Sequence, residues 1–421
     1  MIRPPRPRDP TKLSLDQARR LAVRGQSLGM ASARVDVAAI TRLVERIGYL
    51  QRDPLAAVAP SHLLVLWSRL GCFDPCLIDQ ALWEERSLLE YWAHGASIIP
   101  TSDFVAHHRS LRRRGRSDGI VERRRRSWMA ANRSLQDQIL TGLRERGALP
   151  ARAFIETASP GRDSTGWGHQ HDAERMLFHL WLGGRVMVVG RNAPGRSWDL
   201  TERWLGPAVI RRHTPAARLT QELAERSLHA LGVATELQIG HYMGAGTYAQ
   251  LAAVLTPLVR KGAVLPVTIE GAAAPLPGRW LAHRDDLESL SVDPGHSGAA
   301  TTFLSPFDNL IIDRARTRML FGFDFRIETY VPPELRRFGY YVLPILHRGQ
   351  LIGRADLRRD RHRNLLVAVA LHGEPGAPGA AQVGESIRSA LERLGRFVGM
   401  GGVEVGRLVS TPPAWERALR R

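Results

Sequence analysis

The chain has 421 residues, 44% hydrophobic and 24% charged, too long for one ordinary core and balanced for two to four folded domains. It has no run of about 18 apolar residues, so no membrane span is expected, and the opening MIRPPRPRDP reads as a loose basic tail without the apolar core of a signal peptide. Against 41 acidic residues stand 59 Lys and Arg, a net charge of +18, which favours a polyanionic partner and nucleic acid first.

Arginine replaces lysine almost everywhere, leaving Lys12 and Lys261 alone. Codon bias explains that replacement but not the surplus of bases over acids. Cys72 and Cys76 form C-x-x-x-C with no second pair, which suits free or structural thiols in a reducing compartment, the cytoplasm. His107-His108 and His169-x-His171 lack further ligands at metal spacing, so no metal and no cofactor is expected.

Along the chain, residues 10–105 form the first expected domain. LSLDQARRLAVRGQSLG and VDVAAITRLVERIG have helical apolar spacing, YLQRDPLAAVAP occupies the place of a hairpin strand, and SHLLVLWSRLG resumes a helix. In an extended YLQRDPL, Gln51 and Asp53 share one face and Arg52 the other, and Pro54 ends the strand. Residues 106–133 are a basic helical linker, either a solvated helix or a phosphate-tracking surface carrying Arg112, Arg113, Arg114, Arg124 and Arg125.

Residues 134–206 give the clearest plan: helix, short helix in LPARAFIETA, helix in HDAERMLFHLWLGG, then a hairpin through RVMVVGR, NAPGRS and WDLTERW. That order is a winged helix. Residues 213–292 repeat it, with Thr235 as a helix cap, a third helix interrupted by Pro257 and ending near Lys261, and AAAPLP as the wing tip. From 300 to 421 the pattern alternates, from MLFGFDFRIETYVPP to NLLVAVALHG, and predicts an antiparallel sheet or small barrel followed by an amphipathic helix and a last strand. The fold class is therefore α+β: three tandem winged helices plus a C-terminal antiparallel β-barrel-like domain.

The segments LQRDPLAAVAPSHLLVLWSRLG, EYWAHGASIIP, the long block at 304–361 and ESIRSALERLGRFVG resemble, in order, the YcaQ/AlkZ family of winged-helix DNA glycosylases. The resemblance implies tandem winged helices and a β-barrel around a DNA channel, removal of N7-alkylated purines, and unhooking of interstrand crosslinks. It also implies a role in general repair or in antibiotic self-resistance. The family signature of glutamine, an aliphatic residue, then aspartate or glutamine falls on Gln51 and Asp53; Arg52 departs from it and demands an acid or open solvent behind the strand. The implied partner is duplex DNA with alkylated or crosslinked purines, bound by a monomer.

In that chemistry Asp53 stabilises the cationic sugar and deprotonates water, while Gln51 holds the water or the sugar phosphate. With so few amines, a water-using, monofunctional enzyme that leaves an abasic site is expected. His94, Asp308, Asn309, Arg354 and Asp356 are polar groups inside apolar motifs. Their expected role is structural, with Arg354 also a candidate DNA contact. Tyr340 and Tyr341 are expected to fill the barrel core. The competing classes are a winged-helix regulator, which would dimerise on a defined site, and an inactive damage binder.

Overall fold

A computed structural model describes residues 10–420, except 30–33, 118, 155–166, 193–194, 211–213, 245–247, 249, 272–273 and 293–300. The N-terminal tail, the end of the LPARAFIETA helix and the tips of two expected wings lie outside the described residues.

Strand β1 (Thr11–Ser14) runs directly into α1 (Leu15–Gly25) through a reciprocal cap, in which Ser14 Oγ accepts from Gln17 N–H at 3.2 Å and Gln17 Oε1 accepts from Ser14 N–H at 2.8 Å. The first repeating unit then follows: α2 (Val37–Ile47), β2 (Leu50–Gln51), α3 (Ser61–Leu70), α4 (Cys76–Asp79) continuing into a π turn, and the hairpin β3 (Leu88–Ala93) and β4 (Gly95–Pro100). Helices α5 (Phe104–Gly115) and α6 (Ile120–Ala131) link it to a second unit, which comprises α7 (Arg133–Arg146), β5 (Leu149–Pro150), α8 (Trp167–Leu182), β6 (Val186–Asn192) and β7 (Gly195–Leu200). After α9 (Thr201–Ile210) comes a third, with α10 (Ala216–Leu231), β8 (Val233–Thr235), α11 (Glu236–Tyr242), α12 (Leu251–Lys261), β9 (Val264–Glu270) and β10 (Trp280–His283), then α13 (Arg284–Val292).

The same small sheet recurs in each unit: β2-β4-β3, β5-β7-β6 and β8-β10-β9. In every case the short strand after the first helix pairs with the returning strand of the hairpin. YLQRDPL is therefore not the hairpin strand; that hairpin is LLEYWAHGASIIP, and Leu50–Gln51 lies along its return strand. Two residues before an Asp-Pro turn are too few to build a hairpin alone.

A second correction concerns the opening helix. It belongs with the third unit, because β1 adds parallel to β9, Thr11 opposite Val267 through Ser14 opposite Glu270. Helix α1 crosses α10 so closely that a Cβ on Gly25 or Gly232 would strike the backbone of His229 or Leu21. A third is that α12 continues through Pro257, which removes one N–H without ending the helix.

The C-terminal part holds β11 (Thr302–Phe303), α14 (Arg314–Phe321), β12 (Val342–His347), β13 (Gln350–Asp360), β14 (Leu365–Gly373), α15 (Ala381–Phe397), β15 (Gly402–Val409) and α16 (Pro413–Leu419). Its five strands lie in the order β11-β12-β13-β14-β15, and among the described residues nothing pairs the two edges, so the expected barrel is an open sheet there. The edge strand β15 runs parallel to β14, since α15 carries the chain back across one face. Nor is MLFGFDFRIETYVPP a strand. Its start belongs to α14, and the rest is irregular chain anchored by the buried rings of Phe323 and Phe325. There the Glu328 carboxylate accepts from the backbone N–H groups of Arg337, Phe338 and Gly339.

One apolar cluster joins the three units, from Tyr49 and Tyr91 through Leu143 and Trp181 to Leu228. Another packs Leu64 and Trp67 of α3 against the five-stranded sheet and α15. Leu50 of β2 is buried in a further cluster with α2, α3 and β4, and Tyr49 just before it belongs to the first.

Candidate active site

The site grows from the end of β2. Leu50 and Gln51 pair with Ile98 and Ser97 of β4, and Arg52 N–H donates to Ala96 O at 2.8 Å. Beyond that point the ladder stops, and buried Ser61 takes over: its Oγ donates to Gln51 O at 2.7 Å and accepts from Asp53 N–H at 3.0 Å. Asp53 Oδ1 then accepts from Leu55 N–H at 2.9 Å across Pro54, an Asx turn. Asp53 is half-buried, and among the described residues no cation pairs with its carboxylate.

Gln51 is also half-buried. Gly95, where the β3–β4 hairpin turns at φ +82°, lies against its amide; a Cβ there would sit 3.7 Å from Nε2. Gln51 Oε1 is buried without a hydrogen-bond partner, a state that native structures rarely leave without a reason.

Arg52 points the opposite way, and the neighbour behind the strand is an acid. Its Nη1 meets Glu90 Oε1 at 2.8 Å, and Arg191 of β6 grips the same carboxylate bidentately, both contacts at 2.7 Å. Glu90 is only 4% exposed. Burial lowers the Arg52 and Arg196 guanidinium pKa values; Arg191 adds to this in both, and Glu90 opposes it. Burial, then Arg52 and Arg191, push His62 down to about 3, so this imidazole is neutral at ordinary pH.

The far wall comes from the C-terminal part. Burial first, then the charge of Asp53, raises the Tyr341 phenol. Asp308 forms a fully buried bidentate pair with Arg69 of α3, at 2.6 and 3.0 Å. Asn309 Nδ2 donates to Ile47 O and Tyr49 O at 3.2 and 3.1 Å. These contacts fix the SPFDN segment along the strand that carries Gln51.

The remaining candidates are not gathered here. Arg112, Arg113 and Arg114 lie exposed in the last turn of α5, and Arg124 is exposed on α6. Arg125 pairs with Glu122 at 2.7 Å, and Arg126 Nη1 donates to Gly115 O, so the two helices fold back into one basic tip. Lys261 is exposed at the end of α12. Arg354 is not available to a phosphate. It is 3% exposed, bonds Glu374 at 2.7 Å and Asp324 O at 3.1 Å, and lies between the rings of Phe323 and Phe338. Asp356 accepts from Tyr341 N–H and is raised mainly by burial. Tyr341 is buried as expected of a core residue, whereas Tyr340 is 41% exposed beneath Arg336.

Sequence reasoning missed Ser61, Glu90, Arg69 and Arg191. Glu90 did leave a signal, an isolated acid in the apolar strand LLEYWA, which asks for a buried cation. Ser61 left none, since a serine after proline reads as an ordinary helix start.

The model of the DNA glycosylase AlkZ-like family matches residues 44–397. Among solved structures, the chain is similar to the Streptomyces sahachiroi DNA glycosylase AlkZ, with a TM-score of 0.63 at 14% sequence identity, over 94% of this chain and 100% of that one. At that identity the likeness is one of fold.

Proposed function

The chain belongs to the AlkZ-like DNA glycosylase family, and from that premise we propose that it hydrolyses the N-glycosidic bond of N7-alkylated purines in duplex DNA, using Asp53 and Gln51. An N7-alkylated guanine carries a positive charge and leaves without strong acid assistance. What the reaction needs is a carboxylate beneath the sugar as cationic character builds on it, and a base for the attacking water. Asp53 supplies both. Gln51 orients that water or the neighbouring phosphate through its amide.

The observation that carries this reading is the state of Asp53: half-exposed, unpaired with any cation among the described residues, and fixed by Ser61 and the Leu55 N–H just past the end of β2. A carboxylate serving only as a turn former would not need a neighbour like Gln51, whose oxygen is left unpartnered. The three repeating units are read as winged helices gripping the duplex, with the basic tip of α5 and α6 on its backbone. Because Asp53 sits at an open edge, a guanine still tied to the opposite strand can reach it, which supports crosslink unhooking as part of the activity. The enzyme uses water and forms no Schiff base: Lys12 lies exposed beside Glu270 at 3.6 Å, and Lys261 closes α12.

The test is incubation of the full chain with duplex DNA carrying one N7-methylguanine, followed by alkali. Scission at the lesion, with no borohydride-trapped adduct, is expected. Strands left intact would overturn the reading, and a trapped adduct would overturn the water-using route.

A further inference from the structure

The hairpin of the second unit sets Arg191 of β6 directly opposite Arg196 of β7. Like charges in that relation repel and weaken the strand pair unless an anion sits with them. Arg191 has one: its Nε and Nη2 hold the buried Glu90, which also takes Arg52. Arg196 has none. It is half-buried, and among the described residues no carboxylate pairs with it; its contact is the Trp198 ring, 5.7 Å away.

Three guanidiniums thus stand around one buried carboxylate. Glu174 acts on Arg196 and Asp79 on Arg52, each more weakly than Glu90. A partly buried cation without a counter-charge is costly, and proteins keep such costs chiefly at functional sites.

These residues open onto a cleft of about 380 Å3, lined by Arg152, Arg191, Arg196 and Trp198, with exposed Glu174 as its acid. The cations offer it atoms that a ligand can reach. The Arg191 side chain is 30% exposed with Nη1 unbonded, and among the described residues no Arg196 nitrogen is bonded or sealed from water. Arg152 is exposed in the turn Ala151–Phe154. Guanidinium forks match phosphate oxygens two at a time.

We infer that this cleft seats one backbone phosphate of duplex DNA, with Arg196 as its main partner, Arg191 Nη1 as the second and Arg152 at the entrance. The inference rests on the reading of the chain as acting on DNA, and not on the roles of Asp53 and Gln51. Glu90 joins Arg191 to Arg52, the residue before Asp53, so the phosphate seat and the motif share one ionic network.

Anisotropy titrations of the full chain with an undamaged duplex, between about 50 and 200 mM salt, test it. In Arg196→Gln the slope of log affinity against log salt should fall by about 1, and affinity at low salt about ten-fold. The thermal midpoint without DNA should hold or rise, because a like-charge pair is gone. Arg196→Lys, which keeps the charge, should keep the slope. An unchanged slope in Arg196→Gln would overturn the phosphate seat. So would an equal loss in Arg196→Lys or a lowered midpoint in Arg196→Gln, either of which makes Arg196 a support of the hairpin. Because the duplex is undamaged, failure to excise N7-methylguanine would strike the proposed reaction and leave this result standing.

Discussion

Arg52, just past the end of β2, meets Glu90 at 2.8 Å, and Glu90 is held from its other side by Arg191 of the second unit. The residue that departs from the family signature is thus built into a buried ionic bridge. Its guanidinium is committed to Glu90 and makes no ion pair with Asp53 among the described residues.

This bridge predicts an asymmetry. Arg52→Leu leaves Glu90 in its bidentate pair with Arg191, so unfolding free energy should fall by about 1 kcal/mol and excision should change little. Glu90→Leu strands two guanidiniums in a largely buried site and should cost about 3 kcal/mol or more. Urea titrations of both variants check it.

Asp53→Asn keeps the Asx turn while removing the charge. Excision of N7-methylguanine should drop about 100-fold or more, and Gln51→Ala should lose about ten- to a hundred-fold through positioning alone. Single-turnover rates read by alkaline scission separate the two; full activity in Asp53→Asn would remove the carboxylate from the chemistry.

Stability should respond to pH through His62 and His107. Burial, helped by nearby arginines, depresses them to about 3 and about 4. The unfolded chain, with histidines near about 6.5, then binds more protons than the fold below that value, so stability is complete above it. It declines as pH falls toward 4. Urea midpoints at pH 7.0, 5.5 and 4.5 should fall in that order, and less steeply in His62→Gln.

DNA affinity should fall steeply with salt. Arg112→Ala and Arg124→Ala should each reduce the slope of log affinity against log salt by about 1 if they meet phosphates. Arg354→Ala should leave the slope alone and lower the thermal midpoint, because its guanidinium is enclosed by Glu374, Phe323 and Phe338.

How much of this was legible beforehand follows the range of the interactions. Helices with capping residues and apolar spacing, such as Thr235 before α11, are encoded locally and read correctly. Gln51 and Asp53 were singled out from local sequence alone, and the fold adds their backbone anchors, Ser97 and Ser61. Pairings set by distant chain were not: nothing in TKLS announces Val267 as its partner, and nothing in MLFGFDF announces that Glu328 will gather three N–H groups. Arg354 was expected to be structural or a DNA contact, and only the fold supplies the Glu374 and two rings that enclose it. The open sheet was misread for the same reason, since the parallel seat of β15 depends on how α15 crosses.

The pairing of β1 with β9 sets a timetable for synthesis. Thr11 cannot meet Val267 until the ribosome has delivered the intervening chain, which at about 5–20 residues per second takes on the order of 10–50 s. Throughout that interval α1 must hold its apolar side, Leu21 and Val23 among it, without the helix it finally crosses. The strand β1 and helix α1 thus wait for the third unit before they find their seat, and chaperones have their clearest opportunity there.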